Sequence, residues 1–212
     1  MSGIGGAIAL IVLGYLLGAI PFGLVIGRLT RGIDIREFGS HRTGATNALR
    51  TLGARTAALV FVLDVAKGVA AVLLAYALYE AGPVGSPPWV AAAAGFAAVV
   101  GHIWSIFIRF TGGRGVATST GALLALAPLA VLILAPIVIG IMWRWRYVSL
   151  GSVMGSLLAP LAALILAAVG WAPWAAVGYG LAAGLLVTWA HRDNIGRLRA
   201  GTERRIGQKE AV

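Results

Sequence analysis

The apolar residues of this chain lie in stretches too long, and too little broken by charge, to fold around a water-facing core. Apolar runs cover residues 8–26, 56–79, 89–107, 116–143, 147–169 and 174–190, with short polar segments between them. A helix needs about 20 residues to cross the ~30 Å hydrocarbon core of a bilayer, and most of these runs come close to or exceed that length. Composition agrees: 59% of the 212 residues are hydrophobic and 11% are charged, whereas soluble domains are roughly one quarter charged. A water-soluble fold of this size would need more polar surface than the sequence supplies. The expected fold class is an all-α polytopic membrane protein, a single domain over residues 1–212. The first run is expected to remain as a helix. It is longer than the apolar segment of a cleaved leader, no basic stretch precedes it, and no small-residue cleavage site follows it.

Charge sets the expected topology. The net charge is +10, and the basic residues fall in segments 28–55, 109–114, 144–146 and the tail from His191. Basic loops between apolar spans mark the cytoplasmic face of a membrane protein, so nucleic acid is not an expected partner. If residues 116–143 crossed once, Arg144 and Arg146 would lie on the face opposite Arg114. If the run is a hairpin, every basic loop falls on one side. A turn near Ala127-Pro128 fits, because proline disfavours helix at the residue before it. Each arm would be about 13–15 residues, roughly 20 Å. The expectation is therefore seven transmembrane helices, two of them short and forming a hairpin, with the N-terminus outside and the C-terminus cytoplasmic. The loop 80–88, without a basic residue, lies outside, and Lys67 is the only basic residue within a span. Cysteine is absent, which excludes disulfides, a thiol nucleophile and a Cys-ligated metal. No metal ion or other cofactor is expected.

Four polar segments carry residues suited to chemistry. The first reads Phe38-Gly39-Ser40-His41-Arg42-Thr43-Gly44-Ala45-Thr46-Asn47-Ala48-Leu49-Arg50. Small residues permit close backbone approach, hydroxyls and amide supply donors, and the arginines bring charge. Such a loop cradles phosphate, the more so if Thr46 or Asn47 caps the next helix; an ordinary polar loop with a helix cap reads equally well. The second pairs Gly101-His102 with Thr111-Gly112-Gly113-Arg114-Gly115-Val116-Ala117-Thr118. It lacks the terminal Lys-Ser/Thr pair of a nucleotide-binding P-loop, and a tight turn with one interfacial arginine explains it as well. His102 alone reads best as a neutral histidine bonded to backbone. The third, Arg146-Tyr147-Val148-Ser149-Leu150-Gly151-Ser152, sets two serines on one helical face, or simply caps and packs a helix. The fourth runs His191-Arg192-Asp193-Asn194-Ile195-Gly196-Arg197-Leu198 and on to Gly201-Thr202-Glu203. Alone it is a basic tail drawn to anionic lipid. Asp64 and Lys67, three apart within a span, form either part of a site or a structural ion pair with the lysine reaching toward the interface. All four segments share one membrane face in the seven-helix arrangement, which makes a common phosphate site more economical than four unrelated loops.

Together these residues resemble the bacterial acyl-phosphate:glycerol-3-phosphate acyltransferase family, the PlsY type, over nearly the whole chain. The resemblance rests on the four segments and on Asp64-x-x-Lys67-Gly68, in order. It implies transfer of a fatty acyl group from acyl phosphate to the 1-hydroxyl of sn-glycerol 3-phosphate, giving lysophosphatidic acid and phosphate for phospholipid biosynthesis. It also implies a bacterial cytoplasmic (inner) membrane location, surrounding membrane lipid, and a protein partner in the enzyme that produces acyl phosphate. Ser40, Arg50, Arg114, Ser149 and Ser152 are the expected catalytic residues, holding phosphate. Thr46, Asn47, Lys67, Gly112, Gly113, His191, Asn194 and Glu203 are expected to bind substrate, His191 and Asn194 on the glycerol side. The chain departs from the family pattern at His41-Arg42, where Gly-Asn is usual, and at Thr111 and Arg114, where lysine is common.

Rival readings are a small transporter or an inactive lipid-binding relative. Short helices and buried charge suit a transporter, but no internal repeat is evident. A CDP-alcohol phosphotransferase needs an aspartate-rich metal motif, and Asp34, Asp64 and Asp193 lie far apart. None of His41, His102 and His191 is followed, after four intervening residues, by the aspartate of the soluble His-x-x-x-x-Asp acyltransferases. The charge argument predicts that single cysteines placed near Arg144 and near Pro87 react with a membrane-impermeant reagent from opposite sides. Labelling from one side would exclude the hairpin.

Overall fold

The computed structural model describes residues 1–81 and 86–208, and they form helices with no strand among them. Part of the loop expected at 80–88 lies outside the described residues. In order the helices are α1 Gly3–Ala19, α2 Phe22–Arg31, α3 Ala45–Thr51, α4 Ala54–Leu78, α5 Pro87–Ile103, α6 Val116–Leu126, α7 Pro128–Trp145, α8 Val148–Ala168, α9 Trp174–Ala190 and α10 Arg192–Arg199. Two 3-10 turns, Ile35–Glu37 and Ile106–Ile108, complete the set. Five segments are long and apolar enough to cross a membrane: Gly3–Arg31, Ala54–Leu78, Pro87–Ile108, Pro128–Trp145 and Val148–Ala168. Val116–Leu126 and Trp174–Ala190 are shorter apolar helices.

The packing is inverted relative to a soluble protein. Large side chains such as Leu132, Ile139 and Leu185 stand on the outside, while alanine, glycine and valine fill the interior. Small residues let helices approach where no hydrophobic effect drives them together. On α1, a methyl group at Gly14 or Gly18 would overlap the backbone of Ala94 or Ala98 on α5. On α9, Gly184 presses against the Ser156 backbone of α8 in the same way. Trp89, Trp171 and Trp174 are exposed at one end of the helices and Trp143 and Trp145 at the other, as interfacial aromatics are.

The first span contains a break that the sequence reading did not anticipate. Helix stops at Ala19 and resumes at Phe22, because Pro21 supplies no N–H and disfavours helix before it. The carbonyls left open inside the protein need partners. Ser105 Oγ donates to the Ala19 carbonyl, and Lys67 Nζ donates to that of Ile20 at 2.9 Å. Lys67 also sits 2.8 Å from Asp64 Oδ1, both side chains being almost fully buried. The lysine therefore does not reach toward the interface; it closes the break.

The run 116–143 is interrupted at Ala127, as expected, but the arms are unequal. The first has 11 residues and the second 18. Pro136 lies inside α7 without ending it, as prolines within membrane helices commonly do. Only α6 is therefore short, about 16 Å against about 27 Å for α7.

Removing one partner of a buried ion pair costs about 3–5 kcal/mol, whereas replacing both is far milder. Lys67→Met is therefore expected to lower the melting temperature in detergent markedly, and Lys67→Met with Asp64→Asn to recover part of the loss. A single variant as stable as the wild type would remove this tie from the account.

Candidate active site

Four chain segments converge on one cavity of about 240 Å³. Its lining includes Ser40, Thr46, Arg50, Arg114, Ser149, Ser152, His191 and Glu203, all singled out from sequence. Asp64, His102, Arg42 and Arg204 also face it. Lys67, Gly112, Gly113 and Asn194, expected to touch substrate, are not part of the lining.

The first loop is organised by one side chain. Asn47 Oδ1 accepts the Ser40 N–H at 2.9 Å, and its Nδ2 donates to the carbonyls of Ile35, Phe38 and Arg42 at 2.7, 3.2 and 2.9 Å. Its hydrogen-bonding groups are thus engaged within the loop. Asn47 thereby holds Ser40 and Arg42 at the cavity, whose lining it also joins. Neither it nor Thr46 caps α3; Gly44 occupies that position and both lie inside the first turn.

The second segment explains its paired glycines. Gly113 N–H donates to the His102 carbonyl at 3.1 Å. A methyl group on Gly112 would meet that carbonyl oxygen, and one on Gly113 would meet the His102 ring at Nε2. The pair is glycine because the His102 residue occupies the space. His102 is not bonded to a backbone carbonyl as the sequence suggested; its Nδ1 lies 3.5 Å from Asp64 Oδ1. The loop then delivers Arg114 to the cavity. Burial, then the Arg42 and Arg197 guanidiniums, lower Arg114 to about 10, against Glu203 and Asp193. It stays a cation at neutral pH. Its Nε is buried without a hydrogen-bond partner, an uncommon state for so polar an atom.

The third and fourth segments are tied by Glu203. Its Oε1 accepts from Ser149 Oγ and from Asn194 Nδ2, and its Oε2 from Arg197 Nε, each at 2.7 Å. Burial alone would raise this carboxyl, but the three donors hold it below the usual carboxylate range. Ser152 Oγ donates to the Val148 carbonyl at 2.9 Å. Ser149 and Ser152 thus point their protons at protein acceptors, and either hydroxyl must turn to donate to a ligand. Asn194 acts one step back from the cavity, through Glu203. The tail is further fixed by the Ile206 N–H on the Arg146 carbonyl at 2.7 Å.

His191 closes the cavity beside Arg114. Its Nδ1 is 2.7 Å from the Val187 carbonyl, an acceptor only. Nδ1 therefore carries the proton and Nε2 offers a lone pair. Burial lowers the imidazole to about 4; the Val187 bond and Glu203 oppose this and Arg114 adds to it. Arg42, Arg204, Asp64 and His102 were missing from the expected set. Arg42 was visible as charge in the loop, but neither the His102–Asp64 approach nor the fold-back of Arg204 leaves a spacing signal.

The cavity can bind an anion: arginines and hydroxyls surround it, one guanidinium nitrogen lacks a partner, and a neutral imidazole accepts. Among the described residues no acidic or histidine cluster is arranged to hold a metal ion.

Known proteins share this sequence and architecture. The glycerol-3-phosphate acyltransferase family profile matches residues 8–201. A glycerol-3-phosphate acyltransferase of Shouchella clausii is 45% identical, with 96% of this chain and 98% of that protein covered. Glycerol-3-phosphate acyltransferase 1 of Deinococcus radiodurans is 47% identical, with 96% and 97% covered. The crystal structure of PlsY (YgiH), an integral membrane glycerol 3-phosphate acyltransferase, in its glycerol 3-phosphate form superimposes with a TM-score of 0.83 at 38% identity, covering 95% of this chain and 96% of that one. Its lysophosphatidic acid form gives 0.81 at the same identity, covering 95% of each chain.

The His191 geometry predicts an acid limb of stability. The folded value of about 4 lies below the ~6.5 of free imidazole, so the unfolded chain binds more protons between them. The stability contributed by neutral His191 is full above about 6.5 and declines toward pH 4, by an amount on the order of 3 kcal/mol. Glu203, held low, keeps its full contribution above about 4.5 and loses it as pH falls further. Melting curves of wild type and His191→Gln are expected to diverge above about pH 6 and converge toward pH 4. A parallel pair of curves would contradict the neutral, buried imidazole.

Proposed function

The chain belongs to the glycerol-3-phosphate acyltransferase family, and on that footing we propose that acyl phosphate is its donor and the 1-hydroxyl of sn-glycerol 3-phosphate its acceptor. The products are then lysophosphatidic acid and inorganic phosphate. One observation carries the reading. An apolar groove of about 280 Å³ between α6, α7 and α8 opens into the cavity, the two sharing Phe61, Val116, Met142 and Ser152. An acyl chain in the groove puts its carbonyl carbon at that junction and its phosphate among the arginines.

The chemistry then needs little beyond positioning. The 1-hydroxyl oxygen attacks the acyl carbonyl carbon, the bond from that carbon to the phosphate oxygen breaks, and the hydroxyl proton ends on the released phosphate. The donor is already activated, so no covalent enzyme intermediate is required. Rate comes from orientation and from fixed positive charge on the leaving phosphate. In this reading Arg114 and Arg50 hold phosphate, with Ser40 and Thr46 beside them. Ser149 and Ser152 turn their hydroxyls to the ligand. His191 Nε2 accepts a hydrogen bond from the glycerol backbone, and Glu203 and Asn194 hold the wall in place.

The membrane arrangement completes the proposal. Taking Gly3–Arg31 as one span and adding the two shorter apolar helices to the other four gives seven crossings. With the basic loops inside, the N-terminus is outside and the cavity opens to the cytoplasm, where glycerol 3-phosphate and the enzyme producing acyl phosphate are found. The chain acts as one domain of the bacterial cytoplasmic membrane.

Purified protein in lipid is expected to form lysophosphatidic acid from glycerol 3-phosphate with palmitoyl phosphate and not with palmitoyl-CoA. Product from palmitoyl-CoA alone would sink the donor assignment. Hydrogen bonds to charged groups are worth ~1.5–3 kcal/mol, so Arg50→Ala and Arg114→Ala should each reduce use of glycerol 3-phosphate by roughly tenfold to a hundredfold. Arg114→Lys should also lower activity, although it retains the charge, because a point cation cannot reproduce a planar fork on one phosphate. A higher turnover with a lower KM in that variant would mean the arginine is a tolerated defect.

A further inference from the structure

A second concavity, about 450 Å³, lies on the same loop face but outside the reaction cavity. Arg28 of α2, Arg36 of the first 3-10 turn, and Arg109 and Thr111 after the second line it, with Leu24 and Phe107. None of these residues lines the acyl-transfer cavity.

Its charge is partly uncompensated. Asp34 takes Arg36 in a paired contact, with Nε and Nη2 at 3.0 and 2.7 Å. Glu37 also acts on Arg36. Arg28 is only loosely drawn to Asp34, at 3.8 Å, and its side chain is 63% exposed. Arg109 is exposed and has no acidic partner among the described residues. Both Arg109 and Phe110 hold left-handed backbone, φ 57° and 58°, a conformation that costs roughly 1–2 kcal/mol per non-glycine residue.

Around these cations stand bare apolar side chains: Leu29, Ile106, Phe107 and Phe110 are all more than half exposed. A soluble anion has no use for such surroundings. A lipid does, because its phosphate meets the guanidiniums while its chains lie along the apolar residues. Basic groups beside a bilayer attract anionic headgroups, and arginine presents the fork that suits a phosphate.

The concavity is also wired to the reaction cavity. Arg36 Nη1 donates to Thr111 Oγ1 at 3.0 Å, and Thr111 Oγ1 donates to the Ile108 carbonyl at 2.6 Å. Thr111 opens the short loop that runs through Gly113, bonded to the His102 carbonyl, to Arg114. We infer that the concavity holds the headgroup of an anionic phospholipid from the surrounding leaflet, between Arg28 and Arg109, and that the bound lipid steadies the loop carrying Arg114.

The test uses the full chain in nanodiscs of phosphatidylcholine, with or without phosphatidylglycerol, read by native mass spectrometry after release. Wild type should retain phosphatidylglycerol in preference to phosphatidylcholine. Each interfacial basic residue contributes a factor of roughly five to such binding, so Arg28→Gln with Arg109→Gln should weaken retention about twenty-five-fold. A control pair remote from the concavity, Arg144→Gln with Arg199→Gln, removes the same charge and should retain lipid like wild type. Equal retention in all three proteins overturns the site. Equal loss in both double variants overturns it in favour of diffuse attraction. Displacement of the lipid by inorganic phosphate alone overturns the lipid as occupant.

Glycerol 3-phosphate turnover in pure phosphatidylcholine should match wild type in the Arg28→Gln, Arg109→Gln protein, which reports folding independently of lipid retention. Adding phosphatidylglycerol should lower the KM for glycerol 3-phosphate in wild type and leave that variant unchanged. Thr111→Val should keep the lipid yet lose the KM response. An unchanged KM in wild type, or an intact response in Thr111→Val, overturns the coupling.

Discussion

The ammonium of Lys67 is buried where a cation is costly, and Asp64 of α4 and, through it, His102 of α5, both facing the cavity, are arranged around it. It holds the Ile20 carbonyl on one side and stands 2.8 Å from Asp64 Oδ1 on the other. That second approach is an ion contact outside hydrogen-bond angles, since Asp64 Oδ1 has no hydrogen-bond partner. Asp64 in turn faces His102, His102 fills the space that Gly112 and Gly113 leave free, and Gly113 leads into Arg114. A break in the first span and the placement of a cavity arginine are thus connected through a handful of contacts. Buried charges in lipid persist where they are paired and useful; here one lysine compensates both a carbonyl and a carboxylate.

The electrostatics of the cavity follow from crowding cations around few acids. Burial lowers Arg114 and His191 most; Arg42 and Arg197 add to it at Arg114 and Arg114 at His191, while Glu203 raises both. A neutral His191 leaves Nε2 as a hydrogen-bond acceptor beside Arg114, which another cation at that position could not provide. Glu203 avoids competing for the ligand because its oxygens are occupied by Ser149, Asn194 and Arg197. This acid of the tail thus holds the wall, and Arg114 Nε stays without a hydrogen-bond partner beside it.

Much of this was legible in the sequence. Apolar runs located the helices, proline located the interruption at Ala127, and the shared face of four polar segments anticipated that Ser40, Thr46, Arg50, Arg114, Ser149, Ser152, His191 and Glu203 would meet in one cavity. What escaped has a common physical cause. The break at Pro21 sits inside an uninterrupted apolar run and is stabilised by Lys67 and Ser105, residues 47 and 86 positions away. Asn47 reads as a cavity residue, and its amide also clasps four backbone groups of the loop. Gly112 and Gly113 resemble an anion loop but are glycine to make room for His102. In each case residue type is readable from the sequence, and the partner that decides its use is not.

The apolar groove depends on unequal helices and unequal side chains. Helix α7 turns almost entirely outward, with Ala130 and Leu134 its buried residues, so lipid lies against most of its surface. Its inner edge, Leu134, Val138 and Met142, faces Gly151 and Gly155 of α8 across the groove. Side chains at those glycines would collide with Met142 and Val138, so the two helices meet at the α8 glycines while the space beside α6 stays open. Since α6 has only 11 residues, about half the bilayer core in length, the groove it borders starts at the loop face where the arginines are. A short helix at that position thus lets the apolar walls along α7 and α8 open at one end beside Arg114 and Ser152.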